Sequence, residues 1–164
     1  MLAVTATDPS ELDRINDEVH DWFYDPDDVR FDRQSSEVVV PFRRWNRAEA
    51  QVVPVAKARP TRWLRRPFST DWEVPWHRWI LRIHKARSYD LVDKAGIGTA
   101  DLNVVRYDPE ARVVTVVGAL VTISVPVSQL RVSVEETDQV IGLARYSTWF
   151  GLGGPSMGGV VSPP

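Results

Sequence analysis

Residues 20–42, HDWFYDPDDVRFDRQSSEVVVPF, place an imidazole and six carboxylates ahead of a valine-rich run. His20, Asp21, Asp25, Asp27 and Asp28 are the residue types that hold a divalent cation, because hard cations take carboxylate oxygens and borderline metals accept imidazole. The same residues have a second reading. Proline at Pro26 presets φ for a turn, and Asp side chains bond backbone N–H groups nearby, so Asp25-Pro26-Asp27-Asp28 is also ordinary turn chemistry. An EF-hand is excluded, since the acids are not spaced Asp-x-Asp-x-Asp-Gly and no Glu closes a twelve-residue loop. The expectation is therefore a helix end followed by a turn, with a metal site as the weaker alternative and no cofactor. His20 falls where a helix C-terminus would favour its cationic form.

Three other patterns invite chemistry. Gly154-Pro155-Ser156-Met157-Gly158 matches the G-x-S-x-G of α/β-hydrolases, but that nucleophile needs a strand before it and a helix after it, and no Asp, Glu or His follows Ser156. Gly96-Ile97-Gly98 begins a dinucleotide-type glycine pattern that ends in Asp101 and leads into a strand, so a hairpin turn is expected there. His20-Asp21 resembles the paired ligands of HD-type phosphohydrolases. The preceding histidine and the all-helical scaffold of that family are missing, so nothing is carried over.

The residues between 45 and 76 raise a different possibility. Trp45, Trp63, Trp72 and Trp76 stand among Pro54, Pro60, Pro67 and Pro75, and residues 43–68 carry eight Lys or Arg against one Glu. Prolines exclude regular helix, and arginines stack on indole rings. Residues 1–42 hold eleven acids against three arginines, so the two segments are oppositely charged within a net charge of −2.

Three functional classes follow. The first is a non-catalytic binding or regulatory module with a protein partner, using Trp45, Trp63, Arg65, Arg66, Trp72, Trp76, His77 and His84, since Trp and Arg dominate interface hot spots. The second is a single-stranded nucleic-acid binder, for which basic residues interleaved with aromatics supply charge and stacking. Against it, Arg43, Arg44, Arg47, Arg65 and Arg66 can pair with the acidic N-terminal segment. The third is an enzyme with a pocket lined by Trp72, Trp76, His77 and His84. No coherent catalytic set is visible, so the first class is preferred.

The elements that must position these residues follow from periodicity. Asp8-Pro9-Ser10-Glu11 supplies an N-cap, a proline at the first helical position and a capping-box Glu. Leu12, Ile15 and Val19 then recur at helical spacing, predicting a helix to about His20. Val29 and Phe31 read as a strand pairing with Val38, Val40 and Phe42 across a loop at 32–36. The tetrapeptide Val29-Arg30-Phe31-Asp32 recurs as Val105-Arg106-Tyr107-Asp108, each followed by a polar loop and a valine-rich strand, which leaves duplication and coincidence both open. Residues 79–84, 123–127 and 130–134 add further strands. The fold expected is α+β, mainly β: an antiparallel sheet of about six or seven strands with the N-terminal helix packed on it and a Trp/Pro-rich insertion. Residues 1–150 form a single globular domain in this reading, and the Gly/Pro-rich residues 151–164 a flexible tail.

The uncharged run from Val113 to Leu130 is long enough to suggest a membrane span. Val121, Ile123, Val125 and Val127 alternate with Thr122, Ser124, Pro126 and Ser128, and Gly118 precedes them, so a hairpin is expected instead. Absence of Cys excludes disulfides and thiolate metal sites, and the first ten residues lack a signal-peptide pattern. A cytoplasmic protein without membrane contact is expected. The stretch at 20–42, and VRYDPEARVVTV at 105–116, resemble small bacterial β-rich families of unknown function, in which a polar pair leads into an acidic turn and a hairpin.

Overall fold

In the computed structural model the described residues are 3–45, 49–52, 69–93, 96 and 98–149. Strands dominate, every pairing described here is antiparallel, and one N-terminal helix packs on them. The strands are β1 (Ala3–Ala6), β2 (Trp22–Tyr24), β3 (Arg30–Asp32), β4 (Glu37–Arg44), β5 (Gln51–Val52), β6 (Ser69–Ile83), β7 (Asp90–Asp93), β8 (Ala100–Leu102), β9 (Val104–Asp108), β10 (Val113–Val117), β11 (Val121–Pro126) and β12 (Val132–Trp149). One sheet has the order β1-β12-β6-β4-β2-β8, with β3 beside β4 and β5 beside β6; a second has the order β7-β11-β10-β9.

The chain divides into two compact units, Met1–Arg44 with Arg78–Asp138 and Trp45–His77 with Gln139–Pro164. Strands β6 and β12 contribute residues to both. Ser69–Trp76, expected as part of a long connection, is strand, because Pro75 removes only one ladder donor from it. The tail at 151–164, with Ser156, lies outside the described residues.

The helix begins as its sequence requires. Asp8 Oδ1 accepts from the Ser10 backbone N–H at 2.9 Å, while Glu11 Oε2 accepts from Thr7 N–H at 2.7 Å and Asp8 N–H at 3.2 Å. These bonds favour the ionised acids, so both carboxyls titrate below their ordinary range, Asp8 through Ser10 and Glu11 through the Thr7 N–H. Helix α1 (Leu12–Val19) follows a short 3-10 turn and buries Leu12, Ile15 and Val19. They join one core with Val38, Val40 and Phe42 of β4, Leu81 and Ile83 of β6, and Val114, Val116, Ile123 and Val125 of the second sheet. Fully burying such a side chain is worth about 1.5–3 kcal/mol. Residues 113–126 are the expected hairpin, with Val121, Ile123 and Val125 buried and Thr122, Ser124 and Pro126 half-buried. Among the described residues no helix is long and apolar enough to cross a membrane.

The two similar tetrapeptides build the same turn. Asp32 Oδ1 accepts from Gln34 N–H at 2.9 Å, and Asp108 Oδ1 accepts from Glu110 N–H at 2.9 Å and Ala111 N–H at 3.0 Å. Each loop then ends in a left-handed residue, Ser36 at φ 55° and Arg112 at φ 53°. The carbonyl of Ser36 accepts from Ala86 N–H, and that of Arg112 from Val127 N–H, both at 2.9 Å. Ala86 and Val127 are themselves bridged to each other.

The glycine pair at 96 and 98 departs from expectation. Strand β7 before it pairs with β11, and β8 after it pairs with β2, so this segment crosses between sheets instead of closing a hairpin. Gly96 and Gly98 take φ of +61° and +69°, which the crossing needs and side-chain-bearing residues resist.

Three expectations follow from this packing. Asn16 on α1 offers its carboxamide to the edge strand β9, donating from Nδ2 to Val105 O at 3.3 Å and accepting from Val105 N–H at 2.7 Å. Asn16→Leu strands both backbone groups and should lower stability by about 1–3 kcal/mol, with Asn16→Asp intermediate in denaturant titration. Gly118 sits where an added Cβ would collide with the backbone carbonyl of Asp101, whose Oδ1 also accepts from Ala119 N–H at 2.9 Å. Gly118→Ala should therefore cost about 1–3 kcal/mol, and a stability unchanged by it would show that this turn moves freely. Burial, aided by the charges of Asp101 and Asp93, pushes the Tyr24 phenol well above its ordinary value. The folded state holds that proton more tightly than the unfolded state, so this contribution is intact below about pH 10 and lost as pH rises beyond it. Tyr24→Phe should shallow the loss of stability between neutral and strongly alkaline pH.

Candidate functional site

The opening acids are placed by turn geometry. His20 caps the end of α1, its N–H donating to Asn16 O at 3.0 Å, and its Nδ1 lies 3.0 Å from the Asp21 carboxylate with both side chains exposed. Asp21 takes φ 65° and donates its N–H to Leu102 O. Asp25 caps a 3-10 turn over Pro26–Asp28, accepting from Asp27 N–H at 3.0 Å. The described residues contain no group of three or more His, Asp or Glu side chains placed to hold a metal ion.

Arginine–tryptophan stacking is described outside residues 45–76. The Arg44 guanidinium lies 4.5 Å from the Trp79 ring centre and 5.5 Å from that of Trp22, and it pairs with the Glu18 carboxylate. Trp79 is buried and packs at 6.2 Å on Phe42. One arginine of the basic segment is thereby paired with the acidic N-terminal segment, and two tryptophans serve the core.

In the second unit, Trp45 and Trp76 meet edge to face at 6.3 Å, and His77 Nε2 lies 2.7 Å from Glu49 Oε2. Trp45, Trp72, Trp76 and His77 are all half-buried. Side chains alternate along a strand, so Trp72 and Trp76 share one face of β6 with the fully buried Val74. On β12, Gly142 lies against the Trp76 ring, and Val140, on the same face as Gly142 by alternation, is 55% exposed. Leu143 falls on the opposite face with Arg145, whose Nε donates to Glu73 Oε1 at 2.6 Å. Trp63, Arg65 and Arg66 lie outside the described residues.

His84 belongs with other partners. It follows β6 in the first unit, where its Nδ1 is 2.8 Å from Glu37 Oε1 and its Nε2 is 2.9 Å from Ser133 Oγ. Arg82, on the same face, donates from Nη1 to Glu37 Oε2 at 3.4 Å and from Nε to Glu135 Oε2 at 3.2 Å. Three strands, β4, β6 and β12, thus carry one connected row of polar side chains. Sequence reading singled out His84 and missed Glu37 and Ser133, which lie 47 and 49 residues away. The available signal was parity: Arg82, Ser133 and Glu135 are polar at the outward positions of strands whose alternate residues, Leu81, Ile83, Val132 and Val134, are core.

Neither family models, curated proteins nor solved structures give a match to this chain.

Proposed function

We propose that this chain is a binding or regulatory module of the bacterial cytoplasm, with a protein partner and a contact surface on the aromatic face of the second unit. The observation that carries this reading is the arrangement of Trp76. Its ring meets Trp45 edge to face, borders the bare backbone of Gly142, and shares that side of β12 with the exposed Val140. Large rigid rings held half-buried beside an exposed aliphatic side chain are what interface anchors are made of, because they bury much area at little entropic cost.

We favour a protein over nucleic acid on the aromatic content of this face. Among the described residues, Arg145 pairs with Glu73 on the opposite face of β12, and His77 lies beside Glu49. The surface read from sequence as Trp/Arg thus narrows, in its described part, to tryptophan.

The test is affinity capture of partners on the immobilised full chain, with matched variants. Trp76→Ala and Val140→Glu should each weaken capture of any specific partner by about 30-fold or more, the size of a hot-spot loss. Leu143→Glu, on the opposite face, should leave capture unchanged, and all three should retain the parent melting temperature within a few degrees. Equal capture by all variants would sink the reading. Tight binding of mixed-sequence single-stranded RNA or DNA, falling steeply with salt, would replace it with nucleic-acid recognition.

A further inference from the structure

We propose that Ser133 is an activated nucleophile, with His84 as its base and Glu37 as the group that orients the base, and that the centre reacts with small activated acyl compounds. This goes beyond the binding surface, since all three residues belong to the first unit and none to the aromatic face.

Hydrogen-bond bookkeeping fixes the direction of the relay. An ionised Glu37 can only accept, so Nδ1 of His84 must carry the proton that joins them at 2.8 Å. In the neutral imidazole Nε2 is then an acceptor, and the partner at 2.9 Å is the Ser133 hydroxyl, which must donate. The lone pair that would take the hydroxyl proton therefore already faces it. Glu37 is itself held from the far side by Arg82, at 3.4 Å from its other oxygen, and turning the ring would break both of its hydrogen bonds. Nucleophile, base and orienting acid, each within hydrogen-bond reach of the next, are the arrangement that acyl transfer through serine requires on any fold.

Exposure sets the substrate class. Ser133 is only 5% exposed, and the side chains of His84 and Glu37 are 16% and 18% exposed. So little exposure excludes a polymer or bulky acyl chain and limits the proposed substrate to an acetyl-sized ester. In the reaction, Oγ of Ser133 adds to the ester carbonyl while its proton passes to Nε2. The bond to the alkoxy group breaks, and that oxygen leaves as an alcohol with the proton from Nε2. Water then adds to the acyl-serine, gives up a proton to Nε2, and releases the carboxylic acid as Oγ recovers its proton. Ester and water become acid and alcohol.

The experiment uses the full chain and a small phosphorofluoridate, which forms a stable phosphoryl-serine with loss of fluoride, followed by peptide mapping. One adduct is expected, on Ser133, absent in Ser133→Ala. His84→Gln should slow its formation about 100-fold or more, the usual size of a general-base contribution, and Glu37→Gln should slow it less. No adduct at Ser133 in the parent protein, which needs no substitution and so no refolding control, overturns the proposal and leaves the row as a clasp between strands. So does an adduct formed at the same rate in a folded His84→Gln protein.

Discussion

The two sheets of the first unit are tied together by a junction of backbone hydrogen bonds. Ala86 and Val127 bridge each other, Arg87 N–H donates to Pro126 O, and Ser128 N–H donates to Lys85 O, both at 3.0 Å. Each side of the bridge is then capped by a hairpin, Ser36 O on Ala86 and Arg112 O on Val127. A left-handed residue at each loop end is what turns its carbonyl toward the bridge, and an Asp four positions earlier is what closes the loop tightly enough to put it there. The likeness between VRFD and VRYD is therefore a likeness of mechanical role. Because Ala86 belongs to the chain leaving β6 and Val127 to the chain leaving β11, the junction ties the first sheet to the second and sets the core between them.

Once that junction fixes β6, the polar row on its outer face acquires a defined register. Leu81 and Ile83 point into the core, so Arg82 and His84 point away from it, and the neighbouring strands present Glu37 on one side and Ser133 and Glu135 on the other. A row of this kind adds little to stability through charge alone, since desolvation offsets most of the attraction between partly buried ions. Its effect is on register: a shift of one residue in β4 or β12 would put Val38 or Val132 opposite the charges and carry Glu37 or Ser133 into the core. The same constraint gives Ser133 a base at fixed distance, because the neighbouring strands β6 and β12 would have to part to separate them.

Local chemistry was legible and long-range pairing was not. The capping box at Asp8–Glu11, the turn at Asp25–Asp28, and both hairpins were readable because each depends on residues within a few positions of one another. The mainly antiparallel architecture with its N-terminal helix followed from the alternation of the same segments. The crossing at Gly96 was misread as a hairpin turn because positive φ is needed in both, and only the partners of β7 and β8 distinguish them. Glu37, His84 and Ser133 could not be joined from sequence, since strand order alone brings them together and β4, β6 and β12 are separated by long intervals.

The tryptophans show most directly why the type of a residue does not fix its role. Along β6 the buried positions are Trp79, Leu81 and Ile83 in the first unit, all odd, but Val74 in the second, which is even. The buried face of the strand therefore changes sides between Val74 and Trp79, and a single period-2 reading of the run fails across that point. Trp79 lands in the core, with Arg44 over its ring and Glu18 compensating the charge, so there the arginine–indole pair is a structural device. Trp72 and Trp76 land beside Val74, where the rings cover a small buried patch and keep part of their surface outside it. At Gly142 the opposing strand brings bare backbone against the Trp76 ring, and the proposed contact surface rests on that arrangement more than on the abundance of tryptophan.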